Sequence, residues 1–424
     1  MNLKRSFVLF VSLLFLNLLS AEGKILTIED AVRLAKENNI SVKTAENNLD
    51  SLAVKNKYSW NSVSPAAKLD GKFVDDIDDS TSLSLSGAVS LSLKTNLYSE
   101  IKGAKLNYEK GLLTYSEAVR QIELSVRKKF YNLIYQKENL VLQNRSLETS
   151  RTQYLNNEEK FKNGKISELD AFTSRVNYES KKPVVESAEI NFQNDLASFK
   201  QLLGIPQETE IALDGSLDDF LNLKEISFGL LPKVDEPAPD VKSAEYDVEI
   251  AKNSLLNLRF SAYAPVITGS YSYGKSKKSM QDDWMTTNQL SVGVSVPLDG
   301  ILPWSSSAVK IKEQKNALDT AEKVLEDAKT TVAVQTESYI RKINQAVKQL
   351  DSLKSTEKLA EQTYKMTLAA YNYGKTDFLS LQNANDSVLS AGVNLKSQAY
   401  TLISTILDLE SVLGLEFGTL ETKK

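Results

Sequence analysis

The 424-residue chain contains no cysteine and no histidine. The first absence excludes disulfides, thiolate metal sites, a cysteine nucleophile and a lipidated N-terminal cysteine. The second removes the commonest metal ligand and the commonest general base, so any catalysis would rest on carboxylates, Lys, Tyr, Ser or Thr. Composition therefore argues against an enzyme, and neither a cofactor nor a metal site is expected. An excess of positive charge is also lacking. The 51 basic and 55 acidic residues give −4, and loss of an N-terminal segment with Lys4 and Arg5 would leave −6. Such a balance does not suit a nucleic-acid partner. Long apolar runs are confined to Phe7–Leu19, which follows Lys4 and Arg5 and precedes Ser20 and Ala21. Residues 1–21 read as a secretory signal peptide, whereas a membrane anchor normally needs about 20 apolar residues. A mature chain without another such run can enter a bilayer only as a closed β-barrel.

What is present is a duplication. A shift of 210 residues aligns Tyr154 with Tyr364, Phe161 with Tyr371, Gly164-Lys165 with Gly374-Lys375, Leu169 with Leu379, and Leu203-Gly204 with Leu413-Gly414. Nearer each start the offset falls to 199, where Val42-Lys43-Thr44-Ala45-Glu46 matches Val241-Lys242-Ser243-Ala244-Glu245. The expected organisation is a first repeat at 22–213, a linker at 214–239 and a second repeat at 240–424. The first repeat should hold a helix, a hairpin at 66–94, a long helix at 100–163 and a return helix at 166–203. The second should hold a helix, a hairpin at 265–298, a long helix at 305–373 and a return helix at 376–413. Thr27 is placed to cap the opening helix, with Asp30 three residues on; that helix should fade before Pro65.

In the hairpin regions the period is two. Leu83, Leu85, Val89, Leu91 and Leu93 alternate with Ser82, Ser84, Ser86, Ser90 and Ser92, which gives one apolar and one hydroxyl-lined face. Ala67, Leu69, Gly71 and Phe73 alternate more weakly before an acidic turn, Asp75, Asp76, Asp78 and Asp79. The turn reads as a solvated loop in preference to a calcium site. Ile267, Tyr271 and Tyr273, then Leu290, Val292, Val294 and Val296, repeat the plan around a loop with Lys275, Lys277, Lys278, Asp282, Asp283 and Trp284. Apolar outside, polar inside and aromatic near one rim is the pattern of a transmembrane β-barrel; the alternative is a soluble hairpin packed on helices. Four strands per chain cannot close a barrel, because spanning barrels start at eight strands. Two copies would give eight strands, with an interior filled by side chains. Three would give twelve, wide enough for an aqueous lumen.

Leu112, Val119, Val126, Leu133, Leu140, Leu147, Tyr154 and Phe161 stand seven apart, as do Ile311, Leu318, Leu325, Val332, Tyr339, Ala346, Leu353 and Ala360. Such a repeat implies left-handed supercoiling against a partner helix. No proline lies between Ser99 and Asn163, and 64 continuous helical residues would reach roughly 95 Å. Gly164 and Gly374 should terminate the long helices in the left-handed conformation. Pro183 should interrupt and kink the first return helix. Each repeat is then an antiparallel coiled-coil hairpin, and the chain is mainly α with β.

Together these residues resemble the TolC-like outer membrane efflux proteins over nearly the whole mature chain. Leu26-Thr27-Ile28-Glu29-Asp30-Ala31 with Glu37-Asn38-Asn39 resembles that family's opening helix. Val296-Pro297-Leu298 resembles its strand-to-helix junction, and Tyr154–Leu169 and Tyr364–Leu379 resemble its paired tips. The resemblance implies a homotrimer with a twelve-stranded barrel in outer membrane lipid, continued by a twelve-helix α-barrel across the periplasm. It also implies a periplasmic adaptor and an inner-membrane transporter of RND or ABC type, for which this chain is a passive gated duct. The family's polar entrance positions fall on Leu169 and Asp170, its gate-linked aromatic on Tyr371, its basic gate position on Thr376 and its acidic ring on Ser380 and Asn383. The second-repeat ring is thus uncharged here, and Glu168, Asp170 and Asp377 are the carboxylates able to restore negative charge. The turns at Gly164, Lys165, Gly374 and Lys375 are the expected adaptor contacts.

Two other classes remain for comparison. A periplasmic coiled-coil adaptor or scaffold would carry an all-β module between its arms, and no stretch holds enough strands. A carboxylate hydrolase would need two acids across a cleft, and no spacing singles out such a pair.

Overall fold

A computed structural model of the chain describes residues 24–76, 80–221, 237–279 and 282–420. The expected signal peptide, most of the linker and Asp78 and Asp79 of the acidic turn lie outside the described residues. The chain begins β1 (Lys24–Leu26), α1 (Ile28–Asn38), α2 (Ile40–Lys57), a 3-10 turn (Ser59–Val63), β2 (Ala66–Asp76), β3 (Ser80–Lys94), α3 (Leu97–Lys162), α4 (Glu168–Leu203) and β4 (Ile211–Leu213). After α5 (Asp218–Leu221), it continues with α6 (Pro239–Tyr263), β5 (Val266–Lys277), β6 (Met285–Ser295), a 3-10 turn (Asp299–Ile301), α7 (Ser306–Asn372) and α8 (Phe378–Leu413). Among these, α3 has 66 residues and α7 has 67. No helix among the described residues is long and apolar enough to cross a membrane.

The chain divides into two compact units. One, 44–117 with 237–333, contains the four-stranded antiparallel sheet in the order β2-β3-β5-β6. The register pairs Phe73 with Leu83, Leu85 with Lys275, Val89 with Tyr271 and Tyr271 with Leu290. Residues directly opposite share a face, so the apolar positions of all four strands gather on one side. The serines gather on the other, where the Ser270 and Ser291 hydroxyls are 2.7 Å apart. Lys275 and Lys277, expected in the loop, belong to β5 on the apolar side. They extend the ladder because β3, at 15 residues, is long enough to pair with them.

The other unit, 24–43, 118–221 and 334–420 among the described residues, holds the main core. Phe130, Leu133 and Ile134 of α3 pack with Phe199 and Leu203 of α4, Ile343, Ala346 and Leu350 of α7, and Leu402, Ile403 and Ile406 of α8. Aromatic contacts extend this core: Phe130 lies 6.3 Å from Phe199, and Tyr131 meets Phe220 edge-on at 5.4 Å. Thr27 caps α1 as its position suggests, accepting the Asp30 N–H at 3.2 Å.

Three features depart from the sequence reading. The opening helix is divided at Asn39, whose buried side chain donates to the Leu202 carbonyl at 2.8 Å and accepts from the Ser41 N–H at 2.8 Å. Its two bonds reward an extended backbone at that position. Pro183 lies within α4 without interrupting it. The missing N–H falls on an exposed stretch, where a freed carbonyl can be hydrated. Finally, β1 and β4 form a parallel pair, Lys24 to Leu26 against Ile211 to Leu213, too short to announce itself as a periodic pattern.

Candidate functional site

The sheet has two unpaired edges, β2 and β6. Its apolar side is bare in the single chain: Leu69 is 87% exposed, Leu85 62%, Leu290 75% and Val292 76%. An open antiparallel sheet with such a face is not a stable end state in water. Because strand direction alternates, β6 runs opposite to β2, so a β6 edge meeting the β2 edge of another copy continues the antiparallel pattern. Repetition of such a head-to-tail junction gives a ring where the rotation closes and an open filament where it does not. Large apolar residues are also exposed on the helices, among them Val141, Val176, Ile190, Leu359 and Met366.

The second candidate region is the pair of helix-turn-helix tips. Each turn closes by the same two backbone bonds. Gly164 N–H donates to the Phe161 carbonyl and Lys165 N–H to that of Lys160, both at 2.8 Å. Gly374 donates to Tyr371 at 3.0 Å and Lys375 to Ala370 at 2.8 Å. This αL stop needs the positive φ seen at Gly164 (68°) and Gly374 (70°). The return helices then start on side-chain caps. Ser167 Oγ accepts the Asp170 N–H at 3.1 Å and donates to the Asp170 carboxylate at 2.7 Å. The Asp377 carboxylate accepts the Ser380 N–H at 2.7 Å, and that backbone bond holds Asp377 below its ordinary pKa. Of the three candidate entrance carboxylates, Asp377 therefore caps a helix itself and Asp170 holds the hydroxyl of the capping Ser167.

Tyr371 is the best-anchored of the expected entrance residues. Its hydroxyl donates to Asn157 Oδ1 at 2.7 Å, Lys160 Nζ lies 4.5 Å above its ring, and Phe378 meets it edge-on at 6.0 Å. Burial raises its pKa; the bond to Asn157 opposes this, and the nearby Asp170 charge adds to it. The bond from Tyr371 to Asn157 thus ties α7 to α3 near the tips. Thr376 and Ser380 are half-buried beside the turn. Glu168, Leu169 and Asn383 are exposed, and among the described residues no side-chain hydrogen bond or ion pair ties them to the others.

Sequence reasoning missed the seam behind these tips. Toward the tip, the seven-residue apolar series is only partly covered, and Phe161 is 40% exposed. Beyond Ile134 the buried positions of α3 are instead Ser146, Ser150, Gln153 and Asn157. Their spacing of four, three and four is the heptad signal, written in polar residues. Asn177 donates to Ser150 at 3.4 Å and Asn385 to Ser146 at 3.3 Å. Lys181 bridges Ser146 at 2.9 Å and Asp386 at 2.7 Å, joining α4 to α8. A hydrogen-bonded seam exchanges partners with water at a lower cost than an apolar one.

Residues 230–415 match the family described as "Outer membrane efflux protein". The chain is 19% identical to the outer membrane protein TolC of Vibrio cholerae over 306 residues, 71% of this chain and 69% of that protein. Its fold is that of the Campylobacter jejuni CmeC outer membrane channel, with a TM-score of 0.78 at 17% identity over 91% of this chain and 85% of that one. The outer membrane protein VceC of Vibrio cholerae superposes with a TM-score of 0.72 at 13% identity, over 92% and 96% of the two chains. The chain thus shares the fold of these channels, and the family match lies in residues 230–415.

Proposed function

We propose that three copies of this chain form the exit duct of a tripartite efflux or type I secretion system. The protein is an outer membrane channel with helices that extend into the periplasm; it is a passive conduit and not an enzyme. The observation that carries the reading is the four-stranded sheet with two open edges, one apolar face and one serine-lined face. Three such sheets make twelve strands around a polar lumen, whereas the small serine side chains would poorly fill an eight-stranded interior. The long helices then form the periplasmic wall, and the turns at Gly164-Lys165 and Gly374-Lys375 meet a periplasmic adaptor. An inner-membrane transporter supplies the energy. The entrance is lined by Glu168, Leu169, Asp170, Tyr371, Thr376, Asp377, Ser380 and Asn383, and the polar seam behind it supports a gate that opens by exchange of hydrogen bonds.

The test is native mass and conductance. Purified protein in mild detergent should have three times the protomer mass and give ion-conducting steps in planar bilayers; recovery as a soluble monomer would reject the duct. Tyr371→Phe, which loses the bond to Asn157, should raise open probability. Asp170→Asn with Asp377→Asn, which keeps acceptors for the caps, should lower cation preference. Unchanged gating and selectivity would reject those entrance roles while leaving the duct intact.

A further inference from the structure

The sheet's apolar face ends, toward the hairpin loops, in two positive charges. Lys275 stands directly across from Leu85, and Lys277 across from Leu83. Both therefore share the face of Leu85, Val89, Tyr271 and Leu290 and not the serine-lined one. One step below, Tyr273 occupies the same face, and Lys277 Nζ lies 5.4 Å from the ring of Trp284. Among the described residues neither lysine is in an ion pair, and Asp75 is the acid sharing their face on β2, two strands away. The corresponding outward positions of the first hairpin are Gly71 and Phe73, while Lys68 and Lys72 pair with Ala88 and Ser84 on the polar side. The basic cluster is thus specific to the second hairpin.

Alternate residues of a strand are about 6.7 Å apart, a separation from which two ammonium groups reach the oxygens of one phosphate. Both stand at the end of the apolar band, Tyr273 precedes them on the same face, and the Lys277 ammonium lies against Trp284. With Asp282 and Asp283 exposed in the adjoining loop but, among the described residues, in no ion pair with either lysine, that combination of apolar continuity, interfacial aromatics and unpaired cations fits an anionic lipid headgroup. We propose that Lys275 and Lys277, flanked by Trp284, bind the phosphate of a lipid headgroup in the leaflet next to the hairpin loops, once per protomer. This inference rests on the barrel reading above, because it needs the apolar face in lipid.

The experiment titrates the full-length protein, purified in a neutral detergent, with diphosphoryl lipid A and counts bound lipid by native mass spectrometry. Lys275→Gln with Lys277→Gln should weaken binding by about fivefold for each lysine removed. Lys68→Gln with Lys72→Gln, on the polar face, should bind as the unmodified chain does. Dephosphorylated lipid A should bind as weakly as the double variant allows, and millimolar inorganic phosphate should not displace the lipid. Equal affinity of the Lys275/Lys277 variant, equal affinity for the dephosphorylated lipid, or displacement by free phosphate would each overturn the proposal. Membrane fractionation separates the two levels. If the unmodified chain is in the outer membrane yet binds without regard to phosphate, only the headgroup site fails; if it is absent from that membrane, the barrel reading fails with it.

Discussion

Glu123 sits in the best-connected charge cluster of the helical unit. It accepts Lys36 Nζ at 2.6 Å and Arg127 at 2.8 Å, and Arg127 also reaches Glu29 at 3.2 Å. Burial would raise its pKa, but the hydrogen bonds from Lys36 and Arg127 outweigh burial and hold it below the usual glutamate value. A carboxylate depressed on folding adds stability above its unfolded pKa and loses it as pH falls through the folded value. Glu123→Gln should therefore cost about 2 kcal/mol near neutral pH. The gap between variant and wild type should close on acidification below the ordinary glutamate pKa. Denaturation midpoints measured across that range check it, and a pH-independent gap would contradict it. Only the Glu123–Arg127 half of this cluster was legible in sequence, as an i,i+4 pair on α3; Lys36 and Glu29 come from α1, and folding alone brings them to it. The polar seam was hidden for a different reason. Ser146, Ser150, Gln153 and Asn157 look like a solvated face until their burial shows that they carry the heptad.

Elements were far more legible than contacts. Period two located both hairpins, since one buried or lipid-facing side forces alternation, and Gly164 and Gly374 marked the turns because their positive φ excludes most side chains. The three-residue β1 and β4 lack the length for any period, and Pro183 misled because a proline on an exposed stretch does not end a helix. The glycines of the two stop types separate cleanly. A side chain at Gly164 or Gly374 meets nothing within 4 Å, so alanine there should cost only the left-handed backbone, about 1–2 kcal/mol. At Gly204, with the same φ of 68°, an added Cβ would fall 2.8 Å from Asn38. Gly204→Ala should thus lower the melting temperature more than Gly164→Ala, and the reverse order would contradict this account of the αL caps. On the sheet, Leu290→Arg should cost about 2–4 kcal/mol of barrel stability per protomer. Ser291→Arg, one residue on and facing the serines, should leave assembly intact and reduce conductance. Equal assembly of the two variants would remove the distinction between lipid and lumen faces.

For the whole molecule, the single chain is an incomplete object. It offers two strand edges, a bare apolar face and helices with exposed apolar residues, and all three deficits are met if neighbouring copies repeat the β6-to-β2 junction around an axis. Twelve strands follow if that junction closes after three copies. The most direct measurement exploits the absence of cysteine. One cysteine is placed on β2 at Leu69 and a second is walked along β6 through Asn288, Leu290 and Val292, and each variant is oxidised in isolated membranes. Ring closure predicts, at the matching register, a covalent ladder of one, two and three protomers that stops at three. A product that remains monomeric at every position, or a ladder that continues beyond three, would contradict it.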